Sequence, residues 1–85
     1  MYTIYVIQSL PHSFLYVGMT GNLNRRLQQH NQRKVRSTRP YAPFRLVYTE
    51  TCATRAEARH REKYLKSTAG KNYLRNRIDE VKYYL

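Results

Sequence analysis

The stretch Tyr2-Thr3-Ile4-Tyr5-Val6-Ile7-Gln8, then Ser9-Leu10-Pro11-His12-Ser13, then Phe14-Leu15-Tyr16-Val17-Gly18, decides the fold. Its first part is rich in β-branched and aromatic residues. Tyr2, Ile4 and Val6 alternate there with Thr3, Tyr5 and Ile7, which is the period of a strand. Pro11 interrupts that strand, and Phe14–Gly18 resumes as a second one, so the segment predicts an antiparallel hairpin. Pairing about the Leu10–Ser13 turn would bring the phenols of Tyr5 and Tyr16 together on one face. The bland reading of that pair is two core aromatics.

Working outward, Thr20-Gly21-Asn22 carries turn and N-cap chemistry. Leu23, Leu27 and His30 then fall at i, i+4 and i+7, which predicts an amphipathic helix from Leu23 to about Gln32. Arg33 to Pro43 reads as a basic loop, and Phe44–Thr49 alternates again as a third strand. Thr54-Arg55-Ala56-Glu57 is a capping box and starts a helix that runs to about Ser67. Ala69-Gly70 is expected to interrupt it before a final helix from Lys71 to about Tyr83. The order ββαβαα implies an α+β fold, sandwich-like, with a small three-stranded antiparallel sheet flanked by helices. At 85 residues, with no repeat and no linker, residues 1–85 are expected to form one domain.

Sixteen Lys and Arg stand against five Asp and Glu, a formal net charge of +11, and eleven of the sixteen are Arg. Arg suits bidentate phosphate contacts better than Lys, and neutralised phosphates supply most non-specific affinity for nucleic acid. Nucleic acid is therefore the expected partner. An anionic membrane surface would call for a basic amphipathic helix with exposed bulky apolar residues, and none stands out. The single cysteine, Cys52, permits no intrachain disulfide. No signal peptide or run of membrane-spanning length is visible, so a cytoplasmic location is expected. Oligomeric state is not legible.

A few residues break the pattern. In the helix after the capping box the inward stripe is Ala58, residue 62, Leu65 and Ala69, and residue 62 is Glu. A carboxylate on an apolar face is costly unless paired or metal-bound. Either Glu62 rotates to the rim and pairs with Arg59 or Lys66, or it serves a site. The other acids have ordinary explanations: Glu57 caps, Glu50 ends a strand, and Asp79 and Glu80 sit in an exposed tail. Arg26 and His30, four apart, point the same way beside Leu23 and Leu27. They either face a phosphate, or Arg26 snorkels to solvent and His30 is a satisfied buried histidine. His12, His30, His60 and Cys52 have no zinc spacing, and three glycines make no phosphate loop. With one plausible inward carboxylate, metal-dependent cutting would use a single ion rather than two.

Taken together, these residues resemble the GIY-YIG nuclease family. The first half-motif reads Thr3-Ile4-Tyr5 and the second Tyr16-Val17-Gly18. They are followed by Gly21-Asn22-Leu23, Arg25-Arg26-Leu27, His30-Asn31, Glu57-Ala58-Arg59 and Glu62-Lys63-Tyr64-Leu65-Lys66. Each motif is weak, and the ordered set over roughly residues 2–75 is strong. It is similar to the small stand-alone bacterial members. The resemblance implies that Tyr16 is the general base or orients the attacking water, that Tyr5 hydrogen-bonds in the same site, and that Arg26 stabilises the transition state. It further implies that His30 assists or positions, and that Glu62 holds one Mg2+ or Mn2+ ion. The first half-motif has Thr3 where the family has glycine, Val17 replaces isoleucine, and Met19 stands where many relatives carry Lys or Ser. Asn72 and Asn76 are both candidates for a C-terminal Asn used by some relatives.

The function these readings imply is metal-dependent hydrolysis of DNA phosphodiester bonds. The alternative is a non-catalytic nucleic-acid-binding module on the same fold. Lys34, Arg36 and Arg39 of the loop, with Lys66, are the candidate nucleic-acid contacts. A free phenol, with pKa near 10, is only about 0.1% ionised at neutral pH. A tyrosine base therefore needs help from a nearby cation, or else only orients water.

Overall fold

The computed structural model describes residues 1–78, and it has the expected α+β architecture in the order ββαβαα. The expected run of the last helix to Tyr83, and the tail acids Asp79 and Glu80, lie outside the described residues. Strands β1 (Tyr2–Ser9), β2 (Leu15–Thr20) and β3 (Phe44–Cys52) form one antiparallel sheet in the order β2-β1-β3. β1 is thus central, which is why Ile4, Tyr5, Val6 and Ile7 are all buried although they alternate between faces. β3 runs three residues beyond the expected end at Thr49. Its register against β1 slips between Val6 and Ile7, so Val47 is an extra residue on β3.

Each face of the sheet carries its own core. Ile4, Val6 and Val17 pack against Ala58 and Leu65 of α2 (Arg55–Lys66), Leu74 of α3 (Thr68–Arg77) and Ile78. On the other face Tyr5, Ile7 and Phe44 pack with Tyr16 and with Leu23 and Leu27 of α1 (Leu23–Asn31). Asn22 caps α1 by accepting the Arg25 N–H at 3.1 Å. The Thr54 hydroxyl caps α2 by accepting the Glu57 N–H at 3.2 Å, and it donates to the Glu57 carboxylate at 3.0 Å.

The break between the last two helices differs from expectation. α2 ends at Lys66, and Ser67 caps α3 by accepting the Gly70 N–H at 3.2 Å. The serine thus stops one helix and starts the next, so Ala69 and Gly70 lie in the first turn of α3. Ala69 is exposed rather than inward, and Gly70 takes the buried position. A Cβ on Gly70 would lie 2.0 Å from the Tyr64 carbonyl and 2.4 Å from the Leu65 Cα, so only glycine allows the two helices to close this tightly. Gly70→Ala should cost about 3 kcal/mol, the upper end for overpacking. The thermal midpoint should then drop by more than about 10 °C. A calorimetric scan showing an unchanged midpoint would contradict the packing described.

Candidate active site

α2 lies across the sheet with Ala58 and Leu65 facing inward. At about 100° per residue, Arg61 and Glu62 flank that line on opposite sides. Arg61 reaches the β3 edge, where its Nε and Nη2 donate to the two oxygens of Glu50 at 2.8 and 3.0 Å. The Tyr48 hydroxyl also donates to Glu50, and the Arg61 guanidinium lies 5.0 Å from the Tyr64 ring and 4.7 Å from the Tyr73 ring. Burial works against the Glu50 carboxylate, yet Arg61 and Tyr48 hold its pKa below the ordinary range. Glu50 is therefore more than a strand-end acid: it fixes the rotation of α2. No local sequence pattern pairs β3 with α2, so sequence reading missed it.

Glu62 consequently faces the β2 edge. It is 15% exposed, and its carboxylate lies 3.5 Å from the Lys66 ammonium, one helical turn on. The same ammonium lies 5.8 Å from the centre of the Tyr16 ring. Pairing with Lys66, one of the two ordinary partners, therefore occurs, but at the sheet edge beside Tyr16. Arg59 is exposed and takes no part.

The tyrosines arrive from the opposite face of the same edge. Tyr5 pairs with Gly18 and Ile7 with Tyr16, so the two phenols are diagonal neighbours, with ring centres 6.3 Å apart. Tyr5 lies directly over Gly18: a Cβ there would be 2.5 Å from the Tyr5 hydroxyl. That contact gives the glycine of the second half-motif a physical reason.

Tyr5 is 1% exposed and His30 is fully buried. The Tyr5 hydroxyl lies 2.8 Å from His30 Nε2, and His30 Nδ1 lies 2.8 Å from Thr38 Oγ1. Burial pushes the Tyr5 phenol up, against the opposing pull of the Arg26 guanidinium beside it, with Tyr16 and Glu62 raising it further. Arg26 therefore belongs to the same cluster, and its Nη1 also donates to Gln29 at 3.0 Å.

One arrangement gives every group a partner. Arg26 donates to the Tyr5 oxygen, Tyr5 donates to His30 Nε2, and His30 Nδ1–H donates to Thr38. The Thr38 hydroxyl then points at the Val35 carbonyl, 3.5 Å away. Burial, aided by Arg26, lowers the His30 pKa to about 4, so the imidazole is neutral near pH 7.

Thr38 was not anticipated. It sits in the basic loop after α1 and is fully buried beneath His30. The next motif residue, Asn31, accepts the Phe44 N–H at 2.7 Å. His30 and Asn31 thus pin the middle and the far end of the loop that carries Lys34, Arg36 and Arg39, all three exposed. Asn72 and Asn76 are exposed on α3. Met19 packs on the apolar core of the α2–α3 face.

Among the described residues no three His, Cys, Asp or Glu side chains converge to hold a metal. The donor set at the β2 edge is the Glu62 carboxylate, and Lys66, half exposed, is free to swing away from it. One carboxylate fits a hard ion that keeps most of its water, as Mg2+ does. It does not fit a closed zinc site.

The protein is thus an α+β chain whose polar centre lies at the open edge of its sheet, where residues from both faces meet. The comparisons make it specific: the GIY-YIG catalytic domain family matches residues 1–77, and the chain belongs to that family. It is 42% identical over 65 residues to a UPF0213 protein of Desulfotalea psychrophila, covering 74% of this chain and 58% of that relative's length. It is 36% identical over 69 residues to a UPF0213 protein of Bacillus licheniformis, covering 80% and 71%. A Clostridium perfringens UPF0213 protein is 38% identical over 64 residues, covering 74% and 68%. No solved structure matches the chain. No helix among the described residues is long and apolar enough to cross a membrane.

The neutral His30 has a measurable consequence. Its pKa of about 4 in the fold lies below the unfolded value of about 6.5. The unfolded chain therefore binds the extra proton first as pH falls. His30 leaves stability intact above about pH 6.5 and withdraws it progressively between about 6.5 and 4, by roughly 3 kcal/mol in all. Denaturant melts across that window should show the loss, and His30→Gln should flatten it. A His30 ring that titrates near 6.5 by NMR in folded protein would contradict the buried chain.

Proposed function

We propose that this protein is an endonuclease that hydrolyses DNA phosphodiester bonds with one divalent metal ion. The observation that carries the reading is the meeting of Tyr5, Tyr16, Arg26 and His30 with Glu62 and Lys66 at one sheet edge. The divalent ion is that of the GIY-YIG resemblance, and Glu62 is the residue that would hold it. When bound, it would supply positive charge to the phosphate and the leaving oxygen.

The rest falls to the chain. Tyr16 is partly exposed while Tyr5 is buried, so Tyr16 is the phenol that meets the attacking water, to orient it or accept its proton. Tyr5, with a raised pKa and its proton held by His30, stays protonated and keeps its place under Tyr16. His30 is a positioning residue, because a neutral, fully buried ring exchanges no proton with substrate. Arg26 brings a permanent positive charge to a transition state richer in negative charge than the ground state. Lys66, half exposed beside Tyr16, contacts a phosphate of the strand, with Lys34, Arg36 and Arg39 gripping the backbone further along.

One observation favours the non-catalytic alternative: the Lys66–Glu62 ion pair gives Glu62 an ordinary structural partner. The two readings part in a cleavage assay on labelled single-stranded, duplex and branched DNA and RNA, with and without Mg2+ or Mn2+. The nuclease cuts only with metal. Tyr16→Phe should lose about 10²–10⁴-fold in turnover with its affinity nearly unchanged, since the ring remains. Binding without any cutting would favour the binding module, and a loss under about tenfold in Tyr16→Phe would remove Tyr16 from the role of base.

A further inference from the structure

A cleft of about 410 Å³ opens between β2 and the α2–α3 pair, immediately behind Tyr16. Phe14, Leu15 and Tyr16, all partly exposed, give it apolar walls over a floor of buried Val17, Leu65 and Leu74, and Lys66 and Lys71 line it as well. Tyr16 and Lys66 thus belong both to the polar centre at the sheet edge and to this cleft. Nothing in the roles set out above uses the apolar part.

The chemistry of the lining narrows its occupant. An apolar slot with two ammonium groups suits a flat, weakly polar ring that carries an anion, and its volume is within the range of small-ligand sites, about 300–1,000 Å³. On a chain of net charge +11 the anion is most simply a nucleic-acid phosphate. A base inside an intact duplex is stacked and paired and shows only its edges, so it cannot enter such a slot. An unpaired or extruded base presents its whole face.

We propose that this cleft is a nucleotide subsite. It receives the base of an unpaired nucleotide adjoining the phosphate at Tyr16, while Lys66 and Lys71 contact the neighbouring phosphates. The substrate class is therefore DNA with a single-stranded or unstacked nucleotide at the point of attack. This deepens the endonuclease reading and rests on it for the phosphate at Tyr16. The test reads affinity, so the two can fail separately.

The experiment measures binding by fluorescence anisotropy in metal-free buffer. The probes are a short oligothymidylate, an abasic strand of equal length and charge, and a blunt duplex with the same number of phosphates. Wild-type protein should hold the oligothymidylate roughly tenfold or more tighter than the abasic strand, as expected for a base held in a site. It should also prefer it to the duplex. Leu15→Trp, which fills the cleft from a partly buried position, should erase the preference and leave affinity for the abasic strand unchanged. Lys71→Ala, at an exposed position, should lower the slope of log affinity against log salt by roughly 0.7.

Equal affinity for the base-bearing and abasic strands would overturn the subsite, as would an unchanged preference in a folded Leu15→Trp protein. Should that variant unfold, Lys71→Ala decides: an unchanged slope overturns the subsite, and a reduced one supports it. Base preference in a protein that cuts none of the substrates would sink the endonuclease and leave the subsite standing.

Discussion

The ion pair between Arg61 and Glu50 sets the rotation of α2, and the geometry of the candidate site depends on that setting. Ala58 and Leu65 seat α2 on the sheet and Gly70 closes α3 against it, which leaves a roll about the helix axis as its remaining freedom. Two parallel charge-assisted hydrogen bonds to a strand at the far edge leave it little room to roll. With Arg61 held to β3, Glu62 and Lys66 must project over β2. The pair is partly exposed, so its worth in stability is small. Its consequence is directional: a helix turned by one residue's angle would carry Glu62 away from the tyrosines.

The opposite face is set by a different constraint. Tyr5 can lie flat over the sheet because residue 18 has no side chain, and its hydroxyl then reaches a fully buried histidine. The chain from the partly exposed Arg26 through Tyr5 and His30 to Thr38 gives each polar group a partner, the last three being closed to solvent. It also joins the candidate site at the sheet edge to the basic loop, so both are built on the same buried bonds. The candidate site draws on two surfaces of a thin sheet that meet where the sheet stops.

Much of this was legible in the chain. Period-two alternation marked all three strands, and the caps at Asn22 and Thr54 marked two helix starts, because those signals are local. The end of α2 near Ser67 agrees with expectation, but α3 starts at Thr68 rather than Lys71, a start that sequence reading misses because Ala69-Gly70 looks like a breaker. Gly70 is in fact demanded by a backbone approach between two helices, a tertiary fact, while Ser67 does the capping. The extra length of β3 follows from pairing with β1, which overrides its weak local pattern. For the site, Glu62 and the Arg26–His30 pair stood out as polar residues on apolar faces. Thr38, Gly18's contact with Tyr5 and the Glu50–Arg61 pair did not, because each acquires meaning only from a partner 8, 13 or 11 residues away in the folded chain.

In the proposed nuclease, a carboxylate carried on α2 completes a hydrolytic centre to which the far face of the sheet supplies Tyr5, Tyr16, Arg26 and His30. The most direct test is Glu62→Ala, with cleavage rate and DNA affinity measured on the same folded preparation in Mg2+ beside wild type. Alanine favours helix, so α2 should persist. Removing a negative charge beside a phosphate site should leave affinity unchanged or higher. The expected result is loss of cleavage with binding retained. A folded Glu62→Ala protein that still cuts DNA at the wild-type rate would contradict it.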